Sequence, residues 1–129
     1  MSAREGDTGV YLSYTYARIA SVLRNATHAR EHYDTADLSL LSEVSAVKVM
    51  RLMMLWPMIV QESLDKQEAA VMIHYLFRLA RALSFSYKHL WIEGQPAEVQ
   101  KARLALYDAA NTVMGNAARL LGVKLPERM

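Results

Sequence analysis

The sequence predicts an all-α fold, an antiparallel bundle of about five helices, and two observations carry that prediction. Gly and Pro together number eight among 129 residues, which leaves little material for turns, while the hydrophobic fraction is 53%, above the usual globular share. Apolar residues also recur with helical periodicity along most of the chain. At this length residues 1–129 read as a single domain, large enough to bury one core without metals or disulfides.

The first helix is expected to start after Asp7-Thr8, where either side chain can cap free amides, and to run to about Asn25. Leu12, Tyr16, Ile19 and Leu23 fall within a sector of roughly 60° and form its core stripe. Residues 25–39 mix His, Asp, Thr and small side chains without a sustained period, and read as a loop or frayed extension. Ser42 is a candidate cap for a second helix, Glu43 to about Leu55, with Val47, Met50 and Met54 pointing inward. Trp56-Pro57 interrupts it, because proline disfavours helix at the residue before it yet fits the first turn of a new one, here expected from Pro57 to about Leu64.

The stretch from about Gln67 to Trp91 carries the strongest signal: Met72, Leu76, Leu79, Leu83 and Leu90 share a face, flanked by Ile73, Ala80 and Tyr87. A turn at residues 94–96 follows. Val99, Leu106, Ala110, Val113, Ala117 and Leu121 then line the fifth helix, which ends at Gly122. Short connections between five helices predict antiparallel neighbours.

Several function classes are excluded. The chain has no cysteine, so it can form neither a disulfide framework nor a thiolate metal site, and it suits the cytosol or the mitochondrial matrix. The apolar run from Leu52 to Val60 is far short of the roughly 20 residues a membrane span needs, and residues 1–9 lack the apolar segment of a signal peptide. His28 and His32 are one helical turn apart, but no third metal ligand accompanies them, and His74 and His89 lie on polar faces. Gly6-Asp7-Thr8-Gly9 lacks the Lys-Ser/Thr of a nucleotide loop and reads as a turn before a helix. No catalytic constellation and no cofactor site emerges, so the chain alone should perform no covalent chemistry.

Binding is the better prospect. Net charge is +2 and the pI is near 9.0, a mild basic bias that fits a phosphate-bearing partner. Tyr11, Tyr14 and Arg18 lie within about 60° of one another, roughly opposite the first helix's core stripe. Such a trio suits stacking of unpaired bases and holding of a phosphate, or else packing on a neighbouring helix. Tyr87 and Trp91 repeat the theme one turn apart, beside Lys88 and His89. Arg78 and Arg81, farther up that helix, could track a phosphate backbone or simply face solvent.

Three motifs then resemble a known family. The run from Gly6 through Thr8-Gly9-Val10-Tyr11-Leu12-Ser13-Tyr14 to Ala17-Arg18 resembles the segment that opens the C-terminal anticodon-binding domain of class I arginyl-tRNA synthetases, the DALR type, with Ser13 where Gln is usual and Tyr16 where His is frequent. Tyr75-Leu76-Phe77-Arg78-Leu79-Ala80 running into Phe85-Ser86-Tyr87 is similar to a helix of the same domain. Arg103-Leu104-Ala105-Leu106, Leu120-Leu121-Gly122-Val123 and Pro126-Glu127-Arg128-Met129 resemble its end.

The resemblance implies a helical bundle that binds the anticodon loop of arginine tRNA, with Tyr11, Tyr14, Tyr87, Trp91 and Met129 around the anticodon and Arg18 as a backbone or base contact. It also implies a catalytic domain as partner, whose ATP- and magnesium-dependent arginylation lies outside this chain. The His-x-Gly-His and Lys-Met-Ser-Lys signatures of that domain do not occur here. Two rival readings are a repurposed non-catalytic module, working with a tRNA-modifying enzyme or a mitochondrial ribonucleoprotein, and a protein-interaction module with no RNA role.

Overall fold

The computed structural model describes residues 3–26, 33 and 35–126. Among them, five α-helices follow one another: α1 (Ala3–Asn25), α2 (Val44–Met54), α3 (Trp56–Lys66), α4 (Ala69–His89) and α5 (Ala97–Leu120), with a 3-10 turn at Leu38–Leu40 before α2. The all-helical bundle expected from composition and periodicity is therefore what forms.

Helix α4 is the central element, because the stripe Met72, Leu76, Leu79, Leu83 and Leu90 is buried as its spacing predicts. Tyr75, outside that stripe, is buried too, and its hydroxyl donates to the Leu52 carbonyl of α2 at 2.6 Å. Ser86 donates to the Ser45 carbonyl at 3.3 Å, so α2 runs antiparallel to α4. Tyr107 of α5 reaches back to the carbonyls of Leu90, at 2.9 Å, and Ser86, at 3.2 Å. Burial pushes the Tyr75 hydroxyl up to about 12 and raises that of Tyr107 further, so both stay protonated donors across the neutral range.

Helix α1 lies against α4 and α5 together. Asn111 of α5 donates to the Tyr16 carbonyl, while Thr15 and Tyr11 meet Ser84 and Arg18 covers Tyr87. The last three contacts rise in register on both helices, so α1 and α4, which are not consecutive, point the same way.

Three boundaries and one core face differ from expectation. Helix α1 starts at Ala3, not after Thr8, so residues 6–9 are helical rather than a turn: Ala3, Arg4 and Glu5 are strong helix formers that carry the helix across the glycines. Helix α3 extends to Lys66 and closes on Gln67, a left-handed residue whose amide donates to Leu64, so α4 begins at Ala69. It also ends at His89, two residues before Trp91.

On α2 the inward residues are Ser45, Ala46, Val49 and Leu52, whereas Met50 is half-buried and Met54 is 78% exposed. The helix lies close over α4 and α5, and the small side chains at 45 and 46 allow that approach where larger ones would not. Trp56-Pro57 does break the helix, turning α3 by 41° from α2. No single helix among the described residues is long and apolar enough to cross a membrane.

Gly122 takes φ 74° at the end of α5, and the Val123 amide returns to the Ala118 carbonyl at 2.8 Å, the closing turn that only glycine adopts without strain. Gly115 is different, since it sits inside α5 where a Cβ would touch the Tyr16 hydroxyl at 3.5 Å, an ordinary contact distance. Gly115→Ala is therefore expected to stabilise the protein by about 0.5–1 kcal/mol through helix propensity. A urea midpoint that falls instead would show that the Tyr16 ring cannot accommodate a methyl group.

Candidate nucleic-acid interface

The sequence holds no Asp or Glu between Thr8 and Ala26, nor between Ala69 and Ile92, and α1 and α4 bring these stretches side by side. Arg78, Arg81 and Lys88 are exposed on the outer side of α4, and none forms an ion pair among the described residues. A cationic surface of this kind attracts phosphates at long range and is screened by salt.

Aromatic rings sit along one edge of it. Tyr14 is 51% exposed, and the Arg18 guanidinium lies 5.1 Å from its ring centroid and 3.9 Å over that of Tyr87. Arg18 thus bridges two helices through paired cation–π contacts. Tyr87 is half-buried and lines a groove of about 940 Å³, together with Val22, Asn25, Lys88, Trp91 and Gln100.

Trp91 stands at this groove with 64% of its surface free. Its indole Nε1 donates to the Lys88 carbonyl at 3.0 Å, which orients the ring, while its main-chain carbonyl accepts from Arg103 Nη1 at 2.7 Å, which anchors the backbone there. Arg103, buried in α5, donates its other terminal nitrogen to Glu43 Oε1 at 2.8 Å. The Glu43 carboxyl is held below the usual carboxylate range, first by its own backbone amide and then, against the opposing effect of burial, by Arg103. The arginine thereby ties the start of α2, the α4–α5 turn and α5 together.

Of the residues read from sequence, the fold brings Tyr14, Arg18, Tyr87, Lys88 and Trp91 to one end of the α1–α4 face. Arg78 and Arg81 lie on the same helix but farther from Trp91. Tyr11 does not belong to the free surface: its ring stacks on Phe77 at 6.5 Å and 9°, and its hydroxyl donates to Ser84 at 3.1 Å. The wheel placed Tyr11 opposite the α5-facing stripe, but α1 also packs on α4, and that second neighbour covers the flank on which Tyr11 and buried Thr15 lie. Met129, His28 and His32 lie outside the described residues.

Two groups were not picked out from sequence. Phe85 is 55% exposed and stacks on His89 at 4.3 Å, whose Nδ1 bonds the Phe85 carbonyl at 2.8 Å. A helical wheel places Phe85 within roughly 60° of both Arg78 and Arg81, so the signal was available. Arg103 was legible as a charge at helical spacing between Val99 and Leu106, a cation inside an apolar stripe.

Comparison with known proteins gives the family. Residues 12–129 match the DALR anticodon binding domain. The whole chain aligns at 40% identity with the probable cytoplasmic arginine–tRNA ligase of Schizosaccharomyces pombe, and at 42% and 37% with the cytoplasmic and mitochondrial arginine–tRNA ligases of Saccharomyces cerevisiae. It spans about a fifth of these relatives, 21%, 21% and 20% of their lengths respectively. A family match over nearly the full chain, on a five-helix bundle, establishes that this chain belongs to the DALR anticodon binding domain family.

Proposed function

We propose that this chain binds the anticodon loop of arginine tRNA, as the anticodon-binding part of an arginine–tRNA ligase whose catalytic domain is its structural partner. The observation that carries the reading is the Trp91 ring, exposed yet held by its indole hydrogen bond to the Lys88 carbonyl, beside the Tyr14–Arg18–Tyr87 stack, where α4 carries no carboxylate and Glu93 is the one acid lining the groove. Unpaired bases lie against flat rings at about 1–3 kcal/mol each, while Lys88, Arg78 and Arg81 hold phosphates. Arg18 meets a base or the backbone from between the two tyrosines.

Anticodon capture orients the acceptor end toward the catalytic domain. ATP and magnesium act there, and this chain contributes position rather than chemistry. The names of the yeast relatives support a place in the cytoplasm or the mitochondrial matrix.

The test is a titration of the chain with arginine tRNA and with an anticodon-altered version, each at two salt concentrations. Affinity is expected to fall with salt for both RNAs and to be lower for the altered one at each salt. Equal affinities throughout would overturn anticodon reading. Mixed with ATP, arginine and tRNA, the chain is expected to make no arginyl-tRNA.

A further inference from the structure

The outer edge of α2 lies next to the open side of α4 and carries charge of the same sign. On α2, Ser45 and Leu52 meet α4. Glu43, which pairs with α5, falls roughly 160° to one side of Ser45, whereas Lys48 and Arg51 fall roughly 60° and 120° to the other. On α4, the residues next to its α2-facing side and away from α5 are His89, Arg78 and Phe85, by the same 100° per residue. The antiparallel register, with residue 45 opposite 86 and residue 52 opposite 75, sets Arg51 near the level of Arg78 and Lys48 between Arg78 and Phe85.

Lys48, Arg51, Arg78 and Arg81 are all exposed, and none forms an ion pair among the described residues. No Asp or Glu occurs between Val44 and Gln61 or between Ala69 and Ile92 to neutralise them. On the helical wheel Phe85 falls between Arg78 and Arg81, its ring 55% exposed and stacked on one side by His89.

From this juxtaposition we infer that the α2–α4 edge is a second RNA-contact surface, which grips the phosphate backbone of the tRNA away from the anticodon bases and sets a ribose or base against Phe85. The inference rests on the tRNA-binding reading and extends it around α4: Arg78 and Arg81, already given to phosphates there, are joined by Lys48, Arg51 and Phe85 on the side turned away from the Tyr14–Arg18–Tyr87 stack. Charge complementarity names the occupant. Point cations in a row recognise a phosphodiester chain without reading its sequence, and one flat ring among them suits a nucleotide more than a protein side chain.

The probe is fluorescently labelled arginine tRNA, titrated with the chain at several salt concentrations. The double variant Lys48→Ala/Arg51→Ala should flatten the slope of log affinity against log salt by about 0.7–0.9 per lost phosphate contact. It should also weaken cognate and anticodon-altered tRNA by the same factor. Phe85→Ala should weaken both by about five-fold or more, while Arg51→Lys should leave the slope as it is. All these side chains are exposed, and helical circular dichroism checks that the fold is kept. Unchanged slope and affinity in the double variant and in Phe85→Ala, with Trp91→Ala still weakening binding, would overturn the second surface and leave the anticodon reading standing. A wild-type chain without salt-dependent affinity would overturn both.

Discussion

Replacing Trp91 by alanine is expected to weaken binding of arginine tRNA by about 1–3 kcal/mol, or roughly five-fold to more than a hundred-fold, with the helical circular dichroism intact. The ring is 64% exposed, so its removal opens no cavity in the core. What disappears is a flat surface already held in place by the Lys88 carbonyl, while the bond from Arg103 to the main-chain carbonyl of residue 91 stays. Tyr14→Ala should act in the same direction, since its ring is half exposed and one contact of Arg18 goes with it. Tyr11→Ala should behave differently and lower stability first, because that ring packs on Phe77 and anchors Ser84. Unchanged tRNA affinity in both the Trp91 and Tyr14 variants would remove the assigned surface from recognition.

The largest effect on stability outside the apolar core is expected at Arg103. Arg103→Met keeps most of the side-chain volume but leaves the Trp91 carbonyl without a donor and Glu43 without its counter-charge. A loss of about 2–3 kcal/mol follows, below the range for a fully buried pair because Glu43 is 38% exposed. Urea denaturation reads it directly, and a loss under about 0.5 kcal/mol would show that neither acceptor depends on the guanidinium. Arg103→Lys should restore only part, since one ammonium cannot serve two acceptors that the planar fork reaches together.

The pH dependence carries a second signature. Glu43's folded carboxyl titrates below its ordinary 4.5, so its stabilisation is complete above that value and is lost as pH falls through the lower folded one. Without Arg103 that acid limb should become shallower, though it should not vanish, because the backbone amide of Glu43 remains.

The parts of this fold that were legible in the sequence are those where a broad apolar face is buried at the centre of the bundle. Met72, Leu76, Leu79, Leu83 and Leu90 mark a helix whose apolar face is broad enough to survive any detail of packing, and all five are buried. Where the distance of approach between helices selects the buried side chains, periodicity alone misleads. On α2 the pattern Val47, Met50, Met54 suggested a buried stripe, yet Ala46 and Val49 occupy the interior because close approach selects small side chains.

Tyr11 failed for a related reason, since a wheel shows which residues share a side but not that another helix covers it. For Trp91 and Tyr14 the sequence left packing and exposure open, and the structure leaves both rings more than half exposed. The Phe85–His89 pair was missed because a single aromatic among arginines resembles any solvated face, and it becomes notable only once α2 adds its own cations beside it.

The Arg18 guanidinium, lodged between two rings on different helices, also bears on the cost of recognition. A flexible arginine and two mobile tyrosines would surrender rotamer freedom on meeting RNA, on the order of 0.5–1.5 kcal/mol for each side chain immobilised. Here that entropy is already given up in the free protein, within a stack whose members lie 3.9 Å and 5.1 Å apart. An RNA loop docking as proposed would therefore meet a surface near its bound shape, and tight association would need few contacts.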